Sequence, residues 1–327
     1  MTAEPSIRTT SIGVTMPRWL RNNASLLGVM LLIGTVYLVG AVVSDRFLSF
    51  GNVLNVFEQT TDLALVSIGQ TLVVLSGGID LSVGSLISLT SCLTSGLING
   101  NPDRIIPVVA AVLALGTVVG LVNAGLVIAL RVHPLIITLG MGAVLQGVTL
   151  LYALGPVGRV PRGFNFLAYG RILGLPLGAT IAVALCILIA LLLRYLPLGR
   201  QIYAVGDDAN AARLVGLPRN RVLMLVYGCS GFCCAATGLY LAARFGVGQP
   251  YTGVNYTLAS ITPVVLGGTI LSGGKGGVVG TLLAAFLILL LNNLLNFMDV
   301  SKHYQLVAQA LIIIFAVSVY VERRREE

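Results

Sequence analysis

Gly77-Gly78-Ile79-Asp80-Leu81-Ser82-Val83-Gly84-Ser85 interrupts an apolar stretch that runs from residue 62 to residue 100. One membrane-spanning helix needs about 20 apolar residues. The stretch holds roughly twice that, so it reads as two spans joined by a tight break. An ionisable group inside an apolar span is costly and marks a candidate functional residue. Asp80 also has a second possible role. Its carboxylate could cap a helix starting at Leu81, where it would meet backbone N–H groups and the positive helix end.

The rest of the chain supports lipid as the solvent. It has 327 residues, 56% of them hydrophobic and 10% charged, against about 25% charged in a soluble domain. The mean hydropathy is +0.95. A soluble domain needs a charged exterior that this chain lacks, which excludes a soluble enzyme. The 39 glycines fit a tightly packed helical bundle, because small residues let helices approach closely in lipid. The net charge of +8 comes from basic residues placed mostly between apolar runs. That placement orients a membrane protein and does not call for nucleic acid. Cys92, Cys186, Cys229, Cys233 and Cys234 all lie in apolar runs, with no CxxC pair and with His133 and His303 elsewhere. No metal site, disulfide framework or cofactor is expected.

The fold class expected is an all-α membrane protein of about ten transmembrane helices. The spans fall at 25–43, on either side of the break within 62–100, and at 105–130, 134–154, 177–196, 221–243, 258–272, 276–297 and 303–321. Segment 258–272 is short and glycine-rich at its end. A permease-like domain over 25–322 would follow a cytoplasmic segment 1–24 and precede a tail 323–327. With the N-terminus cytoplasmic, the loop 197–220 and the C-terminus are cytoplasmic too. Thirteen of the 20 basic residues then lie inside, the side that favours them. Leu75-Ser76-Gly77-Gly78 is echoed by Leu266-Gly267-Gly268-Thr269, each followed later by a helix carrying asparagine. Counting five crossings between the two breaks makes these inverted, discontinuous-helix repeats, an arrangement that points to a transport path.

Two loops stand out. In 199–221, Asp208 can cap a short helix from Ala209 to Val215, which Gly216 and Pro218 would end. A short cytoplasmic surface helix can dock an energising subunit; a plain connecting loop is the other possibility. Gly267 to Gly277 superficially suggests a phosphate loop, but Gly276 follows Lys275 where Ser or Thr is required. The chain is therefore expected to bind no ATP itself.

At these places the sequence resembles the permease subunits of ribose-type sugar importers of the ABC class. The resemblance covers residues 25 to 320. It rests on Gly78-Ile79-Asp80-Leu81-Ser82-Val83-Gly84-Ser85, on Gly199-Arg200 with Tyr203-Ala204-Val205-Gly206 and Ala211-Ala212, and on Val265-Leu266-Gly267-Gly268-Thr269 with Gly273-Gly274-Lys275-Gly276. Leu291-Asn292-Asn293 and Tyr304-Gln305 extend it. It implies an alternating-access path for a sugar in a bacterial inner membrane, with no covalent chemistry. It also implies three partners: a cytoplasmic ATP-binding subunit docked near 207–217, a periplasmic or surface sugar-binding protein, and a second permease subunit, taken as identical. Asp207-Asp208 and Asn255-Tyr256-Thr257-Leu258-Ala259 depart from the family's usual runs. Asp62 and Gln70 add polar groups where members are more apolar.

The candidate substrate-path residues are Gln70, Asp80, Ser82, Asn123, Thr269 and Asn292. The two asparagines could instead bond neighbouring backbone. The candidate coupling residues are Asp207, Asp208, Asn210, Ala211, Arg213 and Gly216. An ion-gradient-driven carrier would fit the same broken helices, with Asp62 and Asp80 as its only coupling carboxylates. An intramembrane enzyme finds no His-Glu-x-x-His or Ser/His arrangement in the spans.

Overall fold

Six helices among the described residues are long and apolar enough to cross a membrane. They belong to a computed structural model that describes residues 24–301, 303–305, 307 and 311. In chain order, α1 is Ala24–Val43, α2 Phe50–Leu75, α3 Val83–Ile98, α4 Ile105–Leu130 and α5 Pro134–Tyr152. A short helix α6, Arg162–Tyr169, and a hairpin of β1, Arg171–Ile172, and β2, Leu175–Pro176, precede α7, Leu177–Tyr195. Then come α8, Pro197–Asp207, α9, Ala209–Leu214, and α10, Arg219–Phe245. Last are α11, Tyr256–Ala259, α12, Ile261–Leu266, and α13, Val278–Phe297. The expected segment 1–24 up to residue 23, most of the expected span 303–321 and the tail 323–327 lie outside the described residues.

Helix α2 is not one of the six apolar spans, yet it runs through the centre. It begins at Phe50, twelve residues before the expected start at 62. Ser49 caps it, its Oγ accepting from the Asn52 N–H at 3.3 Å. Every residue of α2 from Thr60 to Leu75 is buried. Among its polar residues, Asn52 exchanges side-chain amide bonds with Asn293 at 2.9 and 3.0 Å. Against α2 lies α10, which also packs along α4 and α3. Its contact with α4 is backbone on backbone. Gly116 and Gly120 of α4 face the Gly231 and Tyr227 carbonyls, and a Cβ at either glycine would collide with them. In lipid, where association gains little from the hydrophobic effect, such close approach supplies the packing.

Both glycine breaks close their helices with the same hydrogen bonds. At the first, Gly77 N donates to Val74 O and Gly78 N to Val73 O, at 2.9 and 3.0 Å. At the second, Gly268 N donates to Val265 O and Thr269 N to Val264 O, both at 3.0 Å. These are Schellman closures, which place one residue in the left-handed region where glycine is favoured. Gly77 has φ +82° and Gly268 φ +90°.

The two breaks are not inverted equivalents, which corrects that expectation. Gly274 N donates to Leu75 O at 3.1 Å, so both breaks sit at one level. At the other end Tyr256 lies beside Asp62. The helices leading into the two breaks therefore run the same way. The short helices α11 and α12 lead into the second break as α2 leads into the first. From Asp62 to Leu75 an α-helix rises about 20 Å, and the segment from Tyr256 to Gly274 covers the same descent. Asp80 is corrected in a smaller respect. The helix after the break starts at Val83, with Ser82 at its N-cap position, and not at Leu81.

Candidate functional site: the break and the elbow beside it

The first break is held from four helices. Asp80 Oδ1 accepts from the Ser82 backbone N–H at 3.0 Å and from the Ser82 hydroxyl at 2.6 Å. Its Oδ2 accepts from the Ser230 hydroxyl of α10 at 3.3 Å. Asn123 of α4 donates to Ser82 Oγ at 2.9 Å. Thr138 of α5 accepts from Leu81 N at 3.0 Å and lies 3.2 Å from Ile79 O. The Gln70 amide brackets the Asp80 peptide. Oriented to pair donors with acceptors, its nitrogen donates to Asp80 O at 3.2 Å and its oxygen accepts from Asp80 N at 3.3 Å. All these side chains are buried.

Such burial suits an Asp in a break. The peptides of residues 76–82 have left the helical ladder, and their polar groups need partners in an apolar surround. Asp80 is thus less a helix cap than the centre of a clasp. The structure brings Gln70, Asp80, Ser82 and Asn123 into one network. Thr269 stands at the second break instead, where its Oγ1 accepts from Gly277 N at 3.2 Å. Asn292 lies far along α13, one residue before the Asn293 that meets Asn52. Thr138 and Ser230 belong to the network but are hydroxyls in ordinary apolar spans, with no motif to flag them.

Next to both breaks lies an elbow formed by α8 and α9. Asp208 caps α9, its Oδ1 accepting from Asn210 N at 2.8 Å and Ala211 N at 3.0 Å. Gly216, φ +78°, ends α9 through bonds from its own N–H to Arg213 O and from Leu217 N to Ala212 O. Ala212 is buried and faces the core. Asp207, Asp208, Asn210, Ala211, Arg213 and Gly216 are exposed. So are Leu214 and Val215, at 89% and 76%. These two apolar tips were not among the coupling residues read from the sequence.

The inner end of the elbow is wedged. Gly206 meets the Leu75 carbonyl, and a Cβ there would also lie 2.7 Å from Gly274 N. Tyr203 donates to Gly276 O at 2.9 Å. A displacement of α8 therefore reaches the end of α2 and the loop that follows the second break together.

A third polar cluster joins α2 to α10 at the opposite level. Arg244 Nη1 sits 2.7 Å from Asp62 Oδ2, with 25% and 6% side-chain exposure. Tyr169 donates to Arg244 O and Tyr240 to Glu58 O, at 2.8 and 2.9 Å. Losing one partner of a mostly buried pair strands the other charge. Arg244→Met is expected to destabilise the protein by about 2 kcal/mol, while the double variant Asp62→Asn/Arg244→Met recovers most of it. Thermal unfolding in detergent of the two single variants and the double checks this. Additive losses would mean that the pair is not coupled.

A buried polar clasp at a helix break, inside a bundle of apolar spans with an exposed elbow, defines a membrane transport permease. The sequence model of one such family, described as the permease component of branched-chain amino acid transport systems, matches residues 52–317, and the chain belongs to that family. It is 38% identical to the ribose import permease protein of Escherichia coli over 92% of this chain and 94% of that one. The ribose import permease protein of Bacillus subtilis is 36% identical over 89% and 91%. A probable ABC transporter permease protein of Escherichia coli is 32% identical over 93% and 92%. No solved structure matches. The chain is a multi-pass membrane transport component and not an enzyme.

Proposed function

We propose that this chain forms the translocation path of an ATP-driven importer for a sugar such as ribose. The observation that carries this reading is the elbow. It presents Leu214 and Val215 outward while Gly206 is wedged against both breaks. A cytoplasmic ATP-binding subunit docking on α9 would move α8, and through it the clasp around Asp80. The side bearing residues 197–220 is then cytoplasmic, with both termini there and ten spans in all. A sugar-binding protein delivers solute to the opposite side, and a second copy of this chain completes the path. Gln70, Asp80, Ser82 and Asn123, gathered at the first break, are the proposed substrate-path residues, with Thr269 at the second break and Asn292 on α13.

A sugar fits better than the amino acid of the family description. The polar groups gathered at the break are hydroxyls and amides around one carboxylate that already accepts three hydrogen bonds. An amino acid would need a partner for each of its two charges. The relatives at 36–38% identity are ribose permeases by name. The ion-gradient carrier is less well supported, since Asp62 is paired with Arg244 and the Asp80 carboxylate is enclosed by serines.

The test is ATPase activity in proteoliposomes holding the chain, its ATP-binding subunit and a ribose-loaded binding protein. Stimulation by the loaded binding protein is expected, and Arg213→Glu together with Leu214→Asp should abolish it. Uptake that needs an ion gradient and no ATPase would overturn the proposal.

A further inference from the structure

We propose that a groove between α1, α7 and α13 holds an acyl chain of a membrane phospholipid. The groove has a volume of about 560 Å³ and is floored by α2. Its lining includes Gly34, Phe57, Thr60, Thr61, Ala182 and Phe286. Phe57 and Phe286 pack ring to ring, with centroids 4.7 Å apart.

The chemistry of the walls selects the occupant. The two threonines are the polar residues of the lining, and both hydroxyls are turned to their own helix. Thr60 donates to Val56 O at 2.7 Å and Thr61 to Phe57 O at 3.3 Å. Nothing in these walls would hold a sugar, whose buried hydroxyls require partners. Water is disfavoured for the same reason. An apolar occupant restores the dispersion contacts that the walls otherwise lack.

The groove also continues a surface that meets lipid. Met30 and Leu31 on α1 are 51% and 70% exposed, and Ile187 and Leu188 on α7 are 54% and 61% exposed. Both helices are membrane spans by length and composition. Their outward faces contact acyl chains, and the groove is the concave part of that same contact. A chain lying there would fill the space between α1 and the α2–α13 pair, next to helices that lead into the first break and out of the second.

Gly34 offers a plug. It lines the groove and a Cβ there meets nothing within 4 Å, so Gly34→Phe adds bulk to the groove from an open position, and the change favours a helix. Gly28 has the same freedom on the same helix but does not line the groove. The test counts phospholipid retained on the purified, detergent-washed chain by native mass spectrometry. The original protein and Gly28→Phe should keep a bound phospholipid that Gly34→Phe loses, with thermal stability of Gly34→Phe confirming that it is folded. Equal phospholipid on all three, or none on the original protein, would overturn the proposal. So would a disulfide-linked dimer formed by Gly34→Cys, which would assign the groove to a second copy of the chain.

Discussion

Gly206→Val is expected to cut sugar uptake per ATP hydrolysed by about ten- to a hundredfold, with little loss of expression or folding. A Cβ at Gly206 would overlap the Leu75 carbonyl oxygen and crowd Gly274 N. Overpacking of this kind costs about 1–3 kcal/mol. Lifting α8 away from Leu75 and Gly274 relieves that overlap. At about 1.4 kcal/mol per factor of ten, the cost becomes the expected fall in the docked population. The exposed face of α9 is untouched, so an ATP-binding subunit should still dock and hydrolyse. Uptake and hydrolysis measured in the same proteoliposomes give the ratio. Gly216→Ala is the matched control. Its added Cβ meets nothing, and only the φ of +78° opposes it. That conformation costs about 1–2 kcal/mol, spent within the turn that ends α9 and not at the breaks. If both variants lowered the ratio equally, the wedge at Gly206 would carry no special role.

The contrast between these two glycines also shows what could be read from the sequence. Gly216 was legible, because a glycine after a short polar-capped helix is a stop signal wherever it occurs. Gly206 was legible only as part of a family run, since its neighbours Leu75 and Gly274 are far away in the chain. Helices α4, α5, α7, α10 and α13 lie close to their expected positions, because long apolar runs between charged loops leave few alternatives. The first half of α2 was hidden. Asn52 and Glu58 look like a loop, and Asp62 like the polar start of a span, until Asn293, Tyr240 and Arg244 arrive from other helices to meet them. The inverted pairing of the breaks rests on a count of crossings, which contacts between distant segments overrule. Direction depends on where the passage before Gly267 begins, and it begins at Tyr256, against Asp62. The Asp80 clasp was half legible: the Asp stood out in its apolar setting, while Thr138 and Ser230 did not.

The clasp leads to the other large effect. Asp80→Ala is expected to destabilise the protein by about 3 kcal/mol and to abolish uptake. Three donors lose their acceptor at once: Ser82 N–H, the Ser82 hydroxyl and the Ser230 hydroxyl. Each buried group left unsatisfied costs about 1–3 kcal/mol, and the sum is reduced because the serine hydroxyls can rotate to other acceptors. The backbone N–H cannot rotate away. Asp80→Asn should behave differently. Its amide oxygen can keep the two bonds from Ser82, and its NH₂ can donate to Ser230, whose hydroxyl serves as acceptor as readily as donor. A loss of about 1 kcal/mol and largely retained uptake follow if Asp80 works by holding the break in shape. A carrier that binds its coupling ion at Asp80 predicts no such difference, with Asn as inactive as Ala because the charge is gone in both. Thermal unfolding and uptake of the two variants therefore separate the readings. Retained uptake in Asp80→Asn places the residue's work in the geometry of residues 76–82, and its loss at undiminished stability would place that work in the charge.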